Sequence, residues 1–356
     1  MTWFRWPSKW WPRKKLKMLW ISHPIFDLHE PGSRHPDVVG RIAAIQAELK
    51  YQQIWPNLKQ IQAEEASDKQ LALVHARQYL YFLESMCPQP GKIYRVDDDT
   101  VIGHDSLVAA RYAAGAVIKA VDAVMEQKAQ HAFCAIRPPG HHAQSRQAGG
   151  FCLINNVAVG VMHAIAHYRL QRVVIVDFDV HHNDGTAEIF ANDPRVLLLN
   201  SCSDSIFPFP KQSSQPDNAI NIFLPAGSGS KLMRERVRAE WLPKLDKFRP
   251  ELVVFSAGFD ANRQDPTGNL NWHEADYAWL THKIIQTASN SCDNRFVSAL
   301  EGGYDLDALG KSAAAHLYVL SGMGKPPCAV EYDKQLREID NDQRSKMQRY
   351  FRRSKG

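Results

Sequence analysis

The run VVIVDFDVHHNDG at residues 173–185 is the feature that most constrains the fold of this chain. It begins with apolar β-branched residues, becomes a cluster of carboxylates and imidazoles, and ends in Asn-Asp-Gly. A near-continuous apolar run is typical of a strand that is buried on both faces of a parallel sheet. The run therefore predicts a buried strand whose carboxyl end opens into a functional site.

Asp179 and His181 lie two residues apart in this run. Side chains at this spacing on an extended chain point the same way, so one carboxylate and one imidazole are aimed at a common position. Zinc takes both oxygen and nitrogen ligands, which makes a metal ion the simplest reason for the arrangement. The alternative is a buried Asp–His pair at a strand end.

Short apolar segments alternate with helical stretches along the chain. The predicted strands cover residues 18–22, 131–136, 172–177, 195–200, 219–224, 251–256 and 295–300. The predicted helices cover residues 108–125, 154–168, 231–245, 272–288 and 306–320. This alternation, with no linker rich in Pro, Gly or Ser, predicts one α/β domain built on an open, mostly parallel sheet with helices on both faces.

Polar clusters follow four of these strands. They read RPPGHH after residue 136, DFDVHHND after residue 176, SAGFDA after residue 255 and EGGYD after residue 300. Ligands of open parallel sheets bind beyond the carboxyl ends of the strands. We therefore expect the four clusters to meet at one edge of the sheet.

Asp260, in the third cluster, supplies a second carboxylate beside Asp179 and His181. Three protein ligands with an open position are typical of a catalytic zinc site, whereas structural zinc sites are closed by four ligands. Taken alone, Asp260 favours a helix N-cap over a metal ligand.

His141 and His142 follow the stiff turn Pro-Pro-Gly and suit proton transfer, because the pKa of imidazole lies near neutrality. Asp177 and Asp184 are not among the three candidate metal ligands and are available to accept the imidazole N–H groups. Asp184-Gly185 also fits an ordinary turn. Tyr304 follows two glycines and is placed to donate to an oxyanion, or to cap a core helix.

Most of the positive charge of the chain lies at its two ends. Residues 1–17 and 344–356 each carry six Lys or Arg and no acid, so the residues between them net about −7 against +5 for the whole chain. This charge argues against a nucleic-acid groove on the core and weakly favours cationic substrates. We divide the chain into a basic, Trp-rich arm at residues 1–18, a catalytic domain at 19–323 and a basic extension at 324–356.

The arm contains four tryptophans and is either an interfacial membrane anchor or a segment that packs on its own domain or on a neighbouring subunit. It lacks the apolar core of a secretory signal. The six scattered cysteines form no Cys-x-x-Cys pair, and no apolar run is long enough to span a bilayer. We expect a cytoplasmic protein that could form homo-oligomers through its terminal extensions.

Five motifs in order, RPPGHH, GGFCLINNVAVG, VDFDVHHNDGT, AGFDA and LEGGYDL, resemble the zinc-dependent histone deacetylase superfamily. This superfamily includes bacterial acetylpolyamine amidohydrolases. The earlier segment HPDVVGR also matches a motif of the family. The resemblance covers the chain from about Leu19 to Met323 and implies an arginase/deacetylase-like fold.

The resemblance implies a role for each matching position. It assigns zinc to Asp179, His181 and Asp260, and catalysis to His141, His142, Asp177, Asp184 and Tyr304. It places Gly150 and Phe151 along an acyl-lysine channel, Arg41 beneath the site, and Asp99 or Asp97 at the rim that meets the substrate. It also implies a potassium ion near Asp177, Asp179 and His181.

The chain departs from the family pattern in three places. Asn200-Ser201-Cys202 stands where the family usually has Ser-x-His, which alters the potassium environment. The run from Phe207 to Lys211 replaces a Pro-Gly-Thr-Gly loop and reshapes the rim. Thr267 stands where an apolar channel residue is common.

The resemblance implies a zinc-dependent amidohydrolase that removes an acetyl or other acyl group from an N-acylated amine, such as acetyl-lysine in protein. One alternative is a deacetylase of acetylpolyamines or other small acylated amines. Two others are a zinc-containing protein that binds acyl groups without turnover and an arginase-like hydrolase with two metal ions.

Overall fold

A computed structural model describes residues 18–209 and 216–338. Three segments lie outside the described residues: the basic arm up to residue 17, residues 210–215 with the end of the reshaped rim loop, and the tail from residue 339. None of the described helices is long and apolar enough to cross a membrane.

One sheet of eight parallel strands forms the centre of the described fold, in the order β2-β1-β5-β10-β9-β6-β7-β8. Its inner strands are apolar and fully buried, as expected where helices cover both faces of a sheet. The strands are β1 Met18–Ser22, β2 Leu58–Gln62, β5 His131–Cys134, β6 Val173–Asp177, β7 Val196–Ser203, β8 Ala219–Leu224, β9 Leu252–Ala257 and β10 Phe296–Leu300. A small antiparallel hairpin is formed by β3 Ile93–Arg95 and β4 Val101–Gly103.

Helices connect the strands and cover the sheet. They are α1 Arg41–Tyr51, α2 Asp68–Leu71, α3 Arg77–Ser85, α4 Ser106–Met125, α5 Asn156–Tyr168, α6 Asp184–Phe190, α7 Ser230–Arg236, α8 Leu242–Phe248, α9 Glu274–Ala288 and α10 Leu306–Leu320. A π-helical turn at Val237–Trp241 joins α7 to α8. Short 3₁₀ turns lie at Pro24–Leu28 and Trp55–Asn57.

The structure has the predicted α/β class, and each of the seven predicted strands is present within three residues of its predicted ends. The predicted helix at 231–245 is one helical stretch that runs through the π turn to Phe248. The prediction missed the strands β2, β3 and β4 and the helices α1, α2, α3 and α6. The edge strand β2, LKQIQ, is mostly polar because only part of it is buried, and α1 begins inside the motif HPDVVGR.

The strands that precede the four polar clusters lie side by side as β5-β10-β9-β6. Register pairs such as Asp177↔Ser256 and Ser298↔Phe133 keep the carboxyl ends of these strands level. The chain segments that leave them therefore begin at one edge of the sheet, in its centre.

The extension after residue 323 starts as a helix, α11, at residues 327–338. Ala329 is buried with residues of α9 and α10. The Tyr332 ring stacks on His273 at 4.4 Å, and Asp333 accepts from Arg234 at 2.6 Å. The first part of the extension thus packs on the domain, while the boundary at 323 stays a prediction.

Candidate active site

Asp179, His181 and Asp260 come together at the carboxyl ends of β6 and β9. Each offers a ligand atom, and these atoms all lie within 4.8 Å of one another, which is true of no other such group among residues 18–209 and 216–338. The Nδ1 atom of His181 is 2.9 Å from Asp179 Oδ1 and 3.2 Å from Asp260 Oδ2. The structure therefore assembles the three residues that the sequence singled out as metal ligands.

The charge of this group fits a divalent cation. Both carboxylates are buried, and Asp260 Oδ2 accepts no hydrogen bond from the described residues. Burial and the neighbouring Asp179 raise the pKa of Asp260 to about 7. Because a buried carboxylate needs a compensating charge, two of them beside one imidazole favour a bound cation, and the two-oxygen, one-nitrogen donor set suits zinc.

Backbone groups hold the two carboxylates in place. The N–H of Gly302 donates to Asp179 Oδ2 at 2.9 Å, and the N–H of Val180 donates to Asp260 Oδ1 at 2.8 Å. A Cβ atom at Gly302 would lie 2.0 Å from Asp260 Oδ2 and 2.5 Å from Asp179 Oδ2. Glycine is therefore required where the loop after β10 passes the two carboxylates.

His141 and His142 lie beside this group, with ring centroids 4.1 Å apart. Each imidazole has a carboxylate of its own. His141 Nδ1 is 3.1 Å from Asp177 Oδ2, and His142 Nδ1 is 2.6 Å from Asp184 Oδ1. The structure thus brings together the histidine–aspartate pairs that the family resemblance implies.

The two imidazoles have opposite electrostatic surroundings. Burial disfavours a charged His141, but the carboxylates of Asp179 and Asp177 outweigh this effect and raise its pKa well above the usual value. Burial and the neighbouring His141 lower the pKa of His142 to about 4. At neutral pH, His142 is therefore the neutral imidazole of the pair.

Glu301 is a buried residue of the site that the sequence interpretation missed. Its carboxylate accepts from the N–H groups of Gly140 and His141 at 2.6 and 3.1 Å, and from Ser256 Oγ at 2.9 Å. It therefore fixes the turn that carries the two histidines. Its position in the cluster EGGYD, directly after a strand, was the signal that could have found it.

Tyr304 lies at the mouth of the site. Its backbone N–H donates to Asp265 Oδ2 at 2.6 Å, and the Arg41 guanidinium lies 4.7 Å above its ring. Its hydroxyl makes no hydrogen bond with another described residue. Burial raises the pKa of Tyr304 well above the usual value, so the hydroxyl keeps its proton. The sequence interpretation missed Asp265, which fixes the backbone of this tyrosine.

Aromatic rings flank His142 and Tyr304. The Phe151 ring meets Tyr304 edge-on at 5.6 Å, and the Phe207 ring meets His142 edge-on at 5.1 Å. Gly150 lies directly against the His142 ring, because a Cβ there would be 2.3 Å from Cδ2. Phe207 was noted only as part of the altered rim loop, and the structure adds it to the residues beside the histidines.

Two predicted channel residues are held by their own loops. The Thr267 hydroxyl donates to Asp265 Oδ1 at 2.8 Å, so its polar group is satisfied within the DPTG loop. Asp99 is exposed, and its carbonyl contacts His35 Nε2 at 3.0 Å. Asp97 accepts from the N–H groups of Asp99 and Thr100 and shapes this turn.

Arg41 belongs to a buried ionic cluster behind Tyr304. It donates to the Gly303 carbonyl at 2.7 Å and to Asp37 Oδ1 at 2.9 Å. Arg137 donates to the same Asp37 oxygen at 2.6 Å. Burial alone would raise the pKa of Asp37, but Arg137 and Arg41 hold it well below its usual range. The sequence interpretation included Arg41 and missed Asp37 and Arg137.

Residues 35–320 match the histone deacetylase domain family. The chain belongs to the histone deacetylase family. A probable deacetylase of Archaeoglobus fulgidus is 32% identical over 320 residues, covering 86% of this chain and 88% of the relative. A histone deacetylase-like amidohydrolase of Pseudomonas aeruginosa is 32% identical over 293 residues, covering 80% and 75%.

Type-2 histone deacetylase 2 of Dictyostelium discoideum is 37% identical over 244 residues, but the match covers only 14% of that protein. The crystal structure of the HDA15 HD domain superposes with a TM-score of 0.79 at 30% identity, covering 88% of this chain and 92% of that one. The family and fold predictions are confirmed, as is that of a hydrolase that acts on the amide bond of an acylated amine.

Replacing Asp37 by Asn should destabilise the domain by about 3–5 kcal/mol, because Arg41 and Arg137 would remain buried without their counter-charge. Chemical denaturation measures this free energy of unfolding. The exposed Asp27→Asn is the matched control, with an expected change within about 0.5 kcal/mol. Equal stability of the two variants would contradict a structural role for the cluster.

Gly302→Ala should lower the affinity for a divalent cation by at least about tenfold, because the new Cβ displaces Asp179 and Asp260. Titration of metal-free protein with zinc or cobalt measures the dissociation constant. Gly149→Ala is the control, since its Cβ would meet no atom closer than 3.8 Å. Unchanged affinity in the Gly302 variant would contradict the ligand assignment.

Proposed function

We propose that the chain is a zinc-dependent deacylase whose substrate is an acetylated lysine side chain in a peptide or protein. The observation that carries this proposal is the position of His141 and His142, each with its own carboxylate, beside the Asp–His–Asp group. A protein that only binds acyl groups has no use for two such pairs.

Asp179, His181 and Asp260 are the residues that would hold the zinc ion. Bound there, zinc supplies a Lewis acid that polarises an amide carbonyl and acidifies a water. Three protein ligands would leave a coordination position of the ion open, as catalytic zinc sites require.

His142 is the residue that moves protons. Its Nδ1 faces Asp184, and this contact orients the ring and leaves Nε2 for the substrate side. Because its pKa is low, His142 is neutral at pH 7 and accepts the proton of the attacking water at Nε2. The same nitrogen then donates a proton to the leaving amine. His141 lies between Asp177 and Asp179, whose carboxylates favour its charged form, and it provides electrostatic support.

Tyr304 stabilises the negative charge that develops on the amide oxygen. Its hydroxyl is protonated and has no partner among the described residues, so it is ready to donate. Its backbone is fixed by Asp265 and its ring by Arg41 and Phe151, so the donor is held in place before the substrate binds. A positioned donor of this kind is the principle of an oxyanion hole.

A groove beside the mouth supports a peptide as the substrate. It has a volume of about 430 Å³ and is lined by residues 31–36, by the β3–β4 hairpin and by Phe151. An extended chain that flanks the acetyl-lysine would have room there. Arg41 remains proposed as the residue beneath the site and Asp99 as the residue that meets the substrate backbone.

Tyr304→Phe should reduce kcat by about a hundredfold or more while the bound zinc is retained, because one oxyanion donor is lost. Turnover of an acetyl-lysine peptide and metal analysis of the same sample measure the two effects. Tyr318→Phe on α10 is a matched control that should keep wild-type turnover. An unchanged kcat in the Tyr304 variant would rule out the proposed role.

Zinc-loaded enzyme should hydrolyse an acetyl-lysine peptide with a higher kcat/KM than acetylated polyamines. Both substrates are assayed side by side, with chelator-treated protein as the inactive control. Preference for the polyamines would assign the site to small acylated amines. Absence of hydrolysis of either substrate, with zinc bound, would favour a binding protein and contradict the proposed function.

Three further proposals concern a potassium ion, the cellular location and the oligomeric state. The potassium ion is proposed near Asp177, whose register partner Asn200 is buried with both amide atoms unpaired among the described residues. We also propose a cytoplasmic location, from the cysteine usage. Homo-oligomers would form through the terminal extensions, much of which lies outside the described residues.

A further inference from the structure

Phe151 forms part of the proposed channel in a backbone conformation that needs support. Its φ angle is +68°, in the left-handed region that bulky L-residues rarely adopt. Such a conformation persists only where the surrounding contacts fix it. The ring nevertheless has a definite position, edge-on to Tyr304.

His35 is the side chain that meets Phe151 on its other side. The two ring centroids are 4.3 Å apart, with an interplanar angle of 64°. The imidazole is itself fixed at both nitrogens. Nε2 lies 3.0 Å from the Asp99 carbonyl and donates to it, and Nδ1 accepts from the Asp37 N–H at 3.0 Å. These two contacts fix the orientation of the His35 ring against Phe151.

The same loop also holds the backbone of Phe151. The Phe151 N–H donates to Thr100 Oγ1 at 3.2 Å, and Thr100 follows Asp99 directly. His35 therefore supports Phe151 in two ways, by contact with its ring and by fixing the loop that binds its N–H. Through Asp37 the support extends to the buried ionic cluster.

We propose that His35 is a positioning residue that holds Phe151 as a wall of the acyl channel and so sets the acyl length that the channel accepts. The inference rests on the proposed function, because it concerns the discrimination between acyl groups at that site. His35 does not reach the reacting atoms. It acts through Phe151, which lies beside Tyr304.

His35→Gln keeps an amide that can donate to the Asp99 carbonyl and removes the ring. We expect the KM for an acetyl-lysine peptide to rise about three- to tenfold, the size of one edge-to-face aromatic contact, with kcat within about twofold of wild type. A looser wall also admits longer chains. The ratio of kcat/KM for a butyryl-lysine peptide to that for the acetyl peptide should therefore rise by a similar factor.

His35→Phe keeps an aromatic ring against Phe151 and removes both hydrogen bonds. Because the ring contact is kept and only the hydrogen bonds to the loop are lost, we expect its acyl preference to lie closer to wild type than that of His35→Gln, which a general loss of structure would not allow. His104→Gln is the matched control, because His104 is an exposed histidine bonded to the Pro88 carbonyl. Its KM and acyl preference should equal those of wild type.

Two results would overturn the proposal. One is a His35→Gln enzyme whose KM and acyl preference stay within twofold of wild type, or whose kcat alone falls. The other is an equal change of acyl preference in the Gln and Phe variants, which would exclude the ring contact. Failure of the wild-type enzyme to hydrolyse either acyl peptide would instead contradict the proposed function.

Discussion

The rest of the structure depends on a concentration of buried negative charge at the carboxyl ends of four adjacent strands. Asp177, Asp179, Asp260 and Glu301 are all inaccessible to solvent or nearly so. Burying a carboxylate is costly unless hydrogen bonds and opposite charges compensate it. The loops after β5, β6 and β10 provide this compensation by turning backbone N–H groups and imidazoles towards the carboxylates. Asp260 Oδ2, which lies beside Asp179 and His181, is left without a hydrogen-bond donor among the described residues. The place for a metal ion is thus a consequence of the same electrostatic balance that fixes the loops.

A second buried ionic cluster connects the start of the domain with its end. Arg41 binds the carbonyls of Gly303 and Glu301, which lie about 260 residues further along the chain. Asp37 forms ion pairs with both Arg41 and Arg137. Because Gly303 precedes Tyr304, the position of the tyrosine depends on a segment at the opposite end of the domain. The segment HPDVVGR therefore contributes to the geometry of the site without contacting the proposed metal position.

The sequence predicted those parts of the fold and site whose signals are local. An apolar β-branched run followed by a polar cluster, as at residues 173–184, indicates a strand and the end of that strand together. Adjacent polar clusters then indicate a common site, which the structure places as expected. Glu301, Asp265 and Asp37 were missed because they act on backbone N–H groups or on arginines distant in sequence, and only the folded chain brings these together. The strand β2 was missed because an edge strand need not be apolar.

His141 and His142 show how neighbouring residues of one type acquire different pKa values from their surroundings. His141 lies between Asp177 and Asp179, and the two carboxylates outweigh the cost of burying its charge. His142 has one carboxylate, Asp184, and a charged neighbour in His141, so burial prevails and the ring stays neutral. The charge on His141 thus helps to keep His142 free of a proton. The difference in pKa between the two rings follows from the number of carboxylates around each ring.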